Sequence, residues 1–319
     1  MRALRILLAS AAFALPAAPV AAQTLSIVTT PSGSYTNSAG SAMAKVISEK
    51  TKLRVVIQAQ ALQGEIPVDA GNAEFGMGNS FDTTFYVTGT GEYEGQGPHR
   101  NIRVVASRIP YRVALHVRAD SNIRSVADLK GKRVSGGFNA QKTVARITEA
   151  LLGTGGLTYK DVVEVLTPNV SRSAEDFAAG KVDVLFFALG SAAVKQAAAN
   201  VGGVRVLPID DSPAVLARLH DALPGSYLTE VRPSPNIDGI SQPTKVLAFD
   251  MVLIANAGVP DEAVYEAAKA LHDNKAALAA TFAAFNLFEP DQMAKPVEGV
   301  EYHPGALKYY QEIGLGPKS

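Results

Sequence analysis

The chain has 319 residues, and its 30 basic and 30 acidic side chains leave no formal net charge at neutral pH. This balance argues against a nucleic-acid partner, which requires a basic surface. The chain contains no cysteine, which excludes disulfides, thiol catalysis and cysteine-ligated metal.

Residues 1–22 have the pattern of a secretory signal. Arg2 and Arg5 precede an apolar run over 6–15, and small residues lead up to Ala22. The pattern predicts export with cleavage after Ala22. The apolar run is too short to span a bilayer. The remaining chain, with 28 basic and 30 acidic side chains, is long enough for two domains.

The first predicted strand, 25–29, is followed by a turn and a polar helix start that carries Ser34 and Tyr35. A helix N-terminus has free amides and a partial positive charge, so it suits an anionic group. The alternative role for Tyr35 is packing on the turn. A second predicted strand, 53–59, leads into a polar turn that contains Gln63.

A short apolar strand is predicted at 75–78, and Asn79, Ser80 and Asp82 follow it directly. Open α/β sheets bind ligands at the carboxyl ends of their strands, so these residues are candidates for a ligand site. Asp82 also suits a helix N-cap, and the two roles are compatible. The glycine-rich stretch 86–100 is predicted to be a mobile surface loop.

Two strands are predicted at 102–107 and 113–117, with Arg108 between them. A guanidinium at a strand end can contact a ligand carboxylate, and a solvated turn charge is the alternative.

Residues 120–143 contain a second polar helix start. Ser125 and Asp128 have the spacing of a helix cap, and a strand beginning at Lys132 ends in glycines. Asn139, Gln141 and Thr143 then open a helix. An ordinary βα turn remains the alternative, but a ligand held between two lobes needs one such helix start from each.

In the second half of the chain, the apolar run 182–187 predicts a strand buried on both faces. It ends at Phe187, and Ser191 follows. Strands that alternate with helices in this way indicate parallel βαβ units and an α/β fold. The stretch 227–242 is predicted to be a connection between lobes, and 245–255 a long strand.

The sequence lacks the motifs of the common enzyme classes. The five histidines have no metal-site spacing, and neither a Gly-x-Ser-x-Gly elbow nor a Walker loop occurs. The sequence therefore predicts no enzyme, no cofactor and no metal, although catalytic partners that meet only in space stay open as an alternative.

Five segments together resemble the TAXI family, the substrate-binding proteins of tripartite ATP-independent periplasmic (TRAP) transporters. They are 33–35, 125–134, 156–162, 180–183 and 303–310, and the last contains His-Pro-Gly-Ala. The chain departs from the family pattern at 63–64, 79–82 and 138–143, which the resemblance places in the pocket.

The resemblance implies a type II periplasmic-binding-protein fold with two α/β lobes joined by a hinge. Residues 23–118 and 243–319 would form lobe 1, and 119–242 lobe 2. It also implies a periplasmic receptor that passes a small solute, an organic or amino acid bearing a carboxylate, to a TRAP permease. The predicted ligand-binding residues are Ser34, Tyr35, Gln63, Asn79, Ser80, Asp82, Arg108, Asn139, Gln141, Thr143, Phe187 and Ser191. A periplasmic enzyme on this fold and a ligand-sensing subunit of a membrane signalling system are the alternatives.

Overall fold

A computed structural model describes residues 24–316, and the predicted signal peptide lies outside these residues. The strands are β1 (Thr24–Thr29), β2 (Arg54–Ala59), β3 (Phe75–Asn79), β4 (Ile102–Arg118), β5 (Arg133–Gly137), β6 (Val163–Thr167), β7 (Val184–Ala188), β8 (Val204–Val206), β9 (Tyr227–Val231) and β10 (Thr244–Asn256). The helices are α1 (Tyr35–Lys50), α2 (Glu65–Asp69), α3 (Ser80–Thr88), α4 (Lys142–Thr154), α5 (Val170–Ala178), α6 (Ala192–Val201), α7 (Pro213–Ala222), α8 (Asp261–Asp273), α9 (Lys275–Thr281) and α10 (Pro304–Glu312).

The main path of the sheet has the strand order β2-β1-β3-β10-β4-β7-β5-β6, with β8 paired to β4 and β9 paired to β10. Strand β1 is parallel to β2 and β3, and β5 is parallel to β6 and β7. These pairs confirm the predicted parallel βαβ units. The antiparallel partners are the long strands β4 and β10, which lie between the two parallel groups.

Strands β4 and β10 belong to both halves of the sheet. The last residues of β10, 251–255, pair with β3, whereas its first residues, 244–248, pair with β9. In β4 the residues 113–117 pair with β7. Two continuous strands therefore connect the two α/β lobes.

The predicted interruption of β4 at 108–112 is wrong, because the strand continues from Ile102 to Arg118. Its register against β10 shifts near Arg108, whose φ of 57° is in the left-handed region. Such a bulge bends a strand without ending it. Pro110 remains in the strand, opposite Asp250.

Two further segments differ from their predicted form. In the stretch 86–100, a short 3-10 helix at Gly91–Tyr93 buries Tyr93, so this residue is not part of a surface loop. In the predicted connection 227–242, the first five residues form β9, antiparallel to β10.

The helices pack on the sheet through apolar stripes with helical spacing. On α1 the buried stripe includes Ala39, Ala42, Met43 and Val46, and on α4 it includes Ile147, Leu151 and Leu152. Strand β7 is buried throughout, as its apolar run predicts. Within residues 24–316, the helices are all too short or too polar to cross a membrane.

Candidate functional site

A cavity of about 80 Å³ lies where β1, β3 and β7 end. Ligands of open α/β sheets bind at this edge. Strands β1 and β3 belong to one lobe and β7 to the other, so both lobes contribute to the wall. Eight of the predicted site residues line the cavity: Ser34, Tyr35, Gln63, Asn79, Asp82, Gln141, Thr143 and Phe187.

The start of α1 presents linked hydroxyl groups to this cavity. Ser34 is the N-cap, and its Oγ accepts a hydrogen bond from the amide of Asn37 at 3.2 Å. The Thr30 hydroxyl donates to Ser34 Oγ at 2.7 Å, and Thr36 Oγ1 accepts from the Thr30 amide at 3.1 Å. The predicted polar helix start is therefore part of the cavity wall.

Tyr35 is both a packing residue and part of the cavity wall. Its hydroxyl donates to the carbonyl of Pro110 in β4, and its ring meets Tyr111 edge-to-face at a centroid distance of 4.6 Å. Burial raises the pKa of Tyr35 well above its ordinary value, so the phenol stays neutral. The hydroxyl is thus engaged by the protein, and the residue also lines the cavity.

A hydrogen-bond network joins the two lobes across the cavity. Thr143 Oγ1 donates to Asp82 Oδ1 and accepts from Gln63 Nε2 at 2.9 Å. Gln63 Nε2 also donates to Asp82 Oδ2, and Gln63 Oε1 accepts from the Tyr93 hydroxyl at 2.7 Å. Thr143 follows β5, whereas Gln63 and Asp82 follow β2 and β3, so these bonds join side chains from both parallel groups of the sheet.

Two buried carboxyl groups, those of Glu65 and Asp82, line the cavity, and each residue is 1% exposed. Glu65 Oε1 accepts from the Thr83 hydroxyl at 2.7 Å. Burial raises the pKa of Glu65 to about 7. Burial, followed by the nearby Glu65, raises the pKa of Asp82 well above its ordinary value. Burial therefore shifts both groups toward the protonated form.

Two glycines allow α2 to approach β3. A Cβ on Gly64 would lie 2.6 Å from the carbonyl oxygen of Met77, and a Cβ on Gly78 would lie 1.9 Å from Glu65 Oε1. Both distances are far shorter than van der Waals contact. The absence of side chains here places Gln63 and Glu65 beside the cavity.

Ser80 and Arg108 line a second cavity, of about 550 Å³, rather than the one between β1, β3 and β7. Arg108 Nη1 lies 2.6 Å from Asp250 Oδ2 in an ion pair, and the Arg108 side chain is 47% exposed. The guanidinium is therefore engaged by a carboxylate of the protein itself.

The second predicted helix start reaches the cavity through Gln141 and Thr143 but not through Asn139. Asn139 is exposed and lines a separate depression on the surface. Tyr35 and Asn139 thus line different cavities. Ser191 also lies elsewhere, and its Oγ donates to the carbonyl of Ala188 at 2.8 Å.

Sequence reasoning missed Glu65 and Tyr93. Glu65 is the first residue of α2, after the polar turn at Gln63, and Tyr93 lies in the glycine-rich stretch after α3. An aromatic side chain in a glycine-rich loop was the available signal for Tyr93. Burial of Glu65 depends on the close approach of α2 to β3, for which the sequence has no local signal.

The residues that line the cavity include no lysine, arginine or histidine. Arg146, three residues beyond Thr143 on α4, pairs with Glu92, and its guanidinium lies 5.1 Å from the centre of the Phe85 ring. Within the described part of the chain, no group of three histidine or acidic side chains is arranged to hold a metal ion.

Three solved structures are similar to this chain over most of its length. One described as a periplasmic transporter is similar to 93% of this chain over 94% of its own length, with a TM-score of 0.55 and 16% identity. PhnD1 from Prochlorococcus marinus, in complex with methylphosphonate, covers 92% of this chain and 97% of its own, with a TM-score of 0.53 and 10% identity. The alkanesulfonate-binding protein SsuA from Xanthomonas axonopodis pv. citri covers 93% of this chain and 96% of its own, with a TM-score of 0.48 and 16% identity.

The first two similarities confirm the predicted fold class, a mixed α/β fold with the two lobes of periplasmic binding proteins. A family model matches residues 27–314, which is nearly the whole described chain. With both lobes and the cavity between them inside this match, the chain belongs to the NMT1-like family.

Proposed function

We propose that this protein is a periplasmic receptor that encloses a small solute between its lobes and delivers it to a TRAP permease. The observation that carries the proposal is the cavity at the strand ends, with polar side chains from both lobes. The similar structures of a periplasmic transporter and of methylphosphonate-bound PhnD1 support a binding role rather than catalysis. The TRAP assignment is supported by the five segments that resemble the TAXI family.

The proposed lobe boundaries are those expected from the sequence, with 23–118 and 243–319 in lobe 1 and 119–242 in lobe 2. Support comes from the two long strands, since β4 ends at Arg118 and β10 begins at Thr244. The crossings between lobes then coincide with continuous strands. A hinge of this kind moves the lobes as rigid bodies.

The proposed mechanism is closure of the lobes around the solute. In the closed arrangement Thr143 contacts Asp82 and Gln63 across the cavity, and the amide of Ala193 donates to the carbonyl of Gly33 at 3.2 Å. These bonds form only when the lobes meet. Closure excludes water from the solute and presents a new surface to the permease.

The predicted carboxylate on the solute remains part of the proposal. Arg108 lies outside the cavity, so neutral donors would hold the carboxylate. The first-turn amides of α1, at Tyr35 and Thr36, have no intrahelical acceptor and lie at the positive end of the helix. The Ser34 and Thr30 hydroxyls lie beside them.

A solute screen by thermal shift, followed by mass spectrometry of any solute released on denaturation, tests the receptor role. We expect at least one small organic or amino acid to raise the melting temperature and to be recovered unchanged. Failure of every solute to stabilise the protein would contradict the receptor role. Turnover of a bound solute would instead support the enzyme alternative.

The TRAP partner requires a separate experiment. We expect a TRAP permease to be encoded beside this gene. We also expect uptake into vesicles that contain this permease to be driven by a sodium gradient and to depend on this protein. An adjacent ABC-transporter operon, together with ATP-dependent uptake, would replace the TRAP assignment and leave the receptor role in place. N-terminal sequencing of the periplasmic protein would test export and cleavage after Ala22.

A further inference from the structure

We propose that the solute carries a protonated amine and that Asp82 and Glu65 bind this ammonium group. The inference rests on the receptor role proposed above and names the chemical class of its solute. It follows from the charges that line the cavity, where the ionisable side chains are two carboxyl groups and two phenols.

The first argument is the cost of the two buried carboxyl groups. A carboxylate withdrawn from water is strongly destabilised unless a cation or several hydrogen bonds compensate for it. Asp82 accepts hydrogen bonds from Gln63 and Thr143, and Glu65 accepts one from Thr83, all of them neutral donors. The cavity itself supplies no cation to either group.

The groups that surround Asp82 do not supply the missing positive charge. Glu65 on α2 and Glu92 after α3 are acidic and raise the pKa of Asp82, so neither can serve as its cation, and Tyr93 is a neutral phenol. Arg146 on α4 is the nearby cation in sequence, but its guanidinium is paired with Glu92. An ammonium group on the solute would supply the missing partner.

Release of protons on solute binding would distinguish an amine from a plain carboxylate. Burial shifts the two carboxyl groups toward the protonated form, and it raises the pKa of Glu65 to about 7. An ammonium group beside them favours the ionised form. Binding of an amine therefore releases protons from the protein, whereas binding of a plain carboxylate does not.

The cavity also limits the size of the solute. A single water molecule needs about 10–15 Å³ of cavity volume. A cavity of about 80 Å³ therefore has room for about five to eight groups the size of a water molecule. Phe187, Phe249 and Met251 line the remaining wall and suit a short carbon skeleton. An amino acid of this size satisfies both the proposed carboxylate and the proposed ammonium contact.

The test compares three probes with the same carbon skeleton, namely alanine, n-propylamine and propionate, on the purified full chain. We expect alanine and n-propylamine to bind more tightly than propionate in calorimetry. We also expect the binding heat of alanine to depend on the ionisation enthalpy of the buffer, because protons are released. Propionate binding as tightly as alanine and n-propylamine would overturn the ammonium proposal and leave the receptor role intact. Absence of binding by these probes and by every solute of the wider screen would contradict both.

Two substitutions test whether Asp82 and Glu65 bind the ammonium group. Asp82→Asn and Glu65→Gln keep the size and an acceptor oxygen, and we expect each to weaken alanine binding at least tenfold. Asp176→Asn is the control, because Asp176 is 5% exposed but pairs with Lys181 outside the cavity. Unchanged affinity in both cavity variants would refute the assignment. The comparison of the three probes on the unmodified protein provides an answer that does not depend on the folding of any variant.

Discussion

Replacement of Thr143 by valine tests whether the hydrogen bonds across the cavity hold the lobes closed. Valine has a similar shape but lacks the hydroxyl that donates to Asp82 and accepts from Gln63. At about 0.5–1.5 kcal/mol for each net hydrogen bond, the closed state loses about 1–3 kcal/mol. The open state is unaffected, because water replaces these bonds there. The closing equilibrium therefore falls about 5- to 150-fold.

Solute affinity should fall by the same factor, because the solute is enclosed only in the closed state. Isothermal titration calorimetry measures the affinity, and small-angle scattering measures how compact the protein is with solute bound. Thr148→Val is the matched control on the same helix, since Thr148 is 1% exposed and its hydroxyl donates to the Val144 carbonyl at 2.8 Å. The bridging role of Thr143 would be refuted if the solute affinity of Thr143→Val stayed within twofold of that of the unmodified protein. Equal losses of affinity in Thr143→Val and Thr148→Val would refute it as well.

Three further predictions concern charge and packing. The folded-state pKa of Glu65 is raised from 4.5 to about 7, so its contribution to stability is complete below pH 4.5 and is lost as the pH rises to about 7. The melting temperature of the solute-free protein should fall over this range relative to that of Glu65→Gln, and parallel curves would contradict this. Phe177 on α5 is fully buried, so Phe177→Ala should lower the free energy of unfolding by about 3–5 kcal/mol in urea titrations; a loss below 1 kcal/mol would mean that the site repacks. Arg108→Ala should leave solute affinity within twofold and cost about 1–3 kcal/mol of stability, because it leaves the buried Asp250 carboxylate without its cation. A tenfold loss of affinity would show that Arg108 reaches the solute.

The sequence predicted those parts of the fold that depend on interactions between residues close together in the chain. The spacing of Ser125 and Asp128 predicts a capping box, and both of its hydrogen bonds are present. The predicted break near Arg108 was wrong, because an interaction with a distant part of the chain decides the structure of this segment. Arginine, proline and a nearby second arginine resemble a turn, but pairing with β10, about 140 residues later in the chain, keeps the segment in the sheet.

The same distinction applies to the candidate site. Asn79, Asp82 and Thr143 were predictable because residues after parallel strands meet at one edge of the sheet. Glu65 was not, because its burial depends on the contact of Gly64 with the backbone of Met77 across two elements. Asn139 satisfied the sequence pattern, yet the turn before α4 leaves it on the surface. The edge of the sheet that carries the site was therefore predictable, and the direction of individual side chains was not.

Asp82 links the proposed ammonium site to closure. Its two oxygens accept the hydrogen bonds from Thr143 and Gln63, and an ionised acceptor makes hydrogen bonds about twice as strong as a neutral one. An ammonium group that ionises Asp82 therefore strengthens the bonds across the cavity, so solute charge and lobe closure should be coupled. A double-mutant cycle measures this coupling. Loss of the Thr143 hydroxyl should weaken alanine binding much less in the Asp82→Asn background than in the unmodified protein. Equal losses in the two backgrounds would mean that closure and charge recognition are independent.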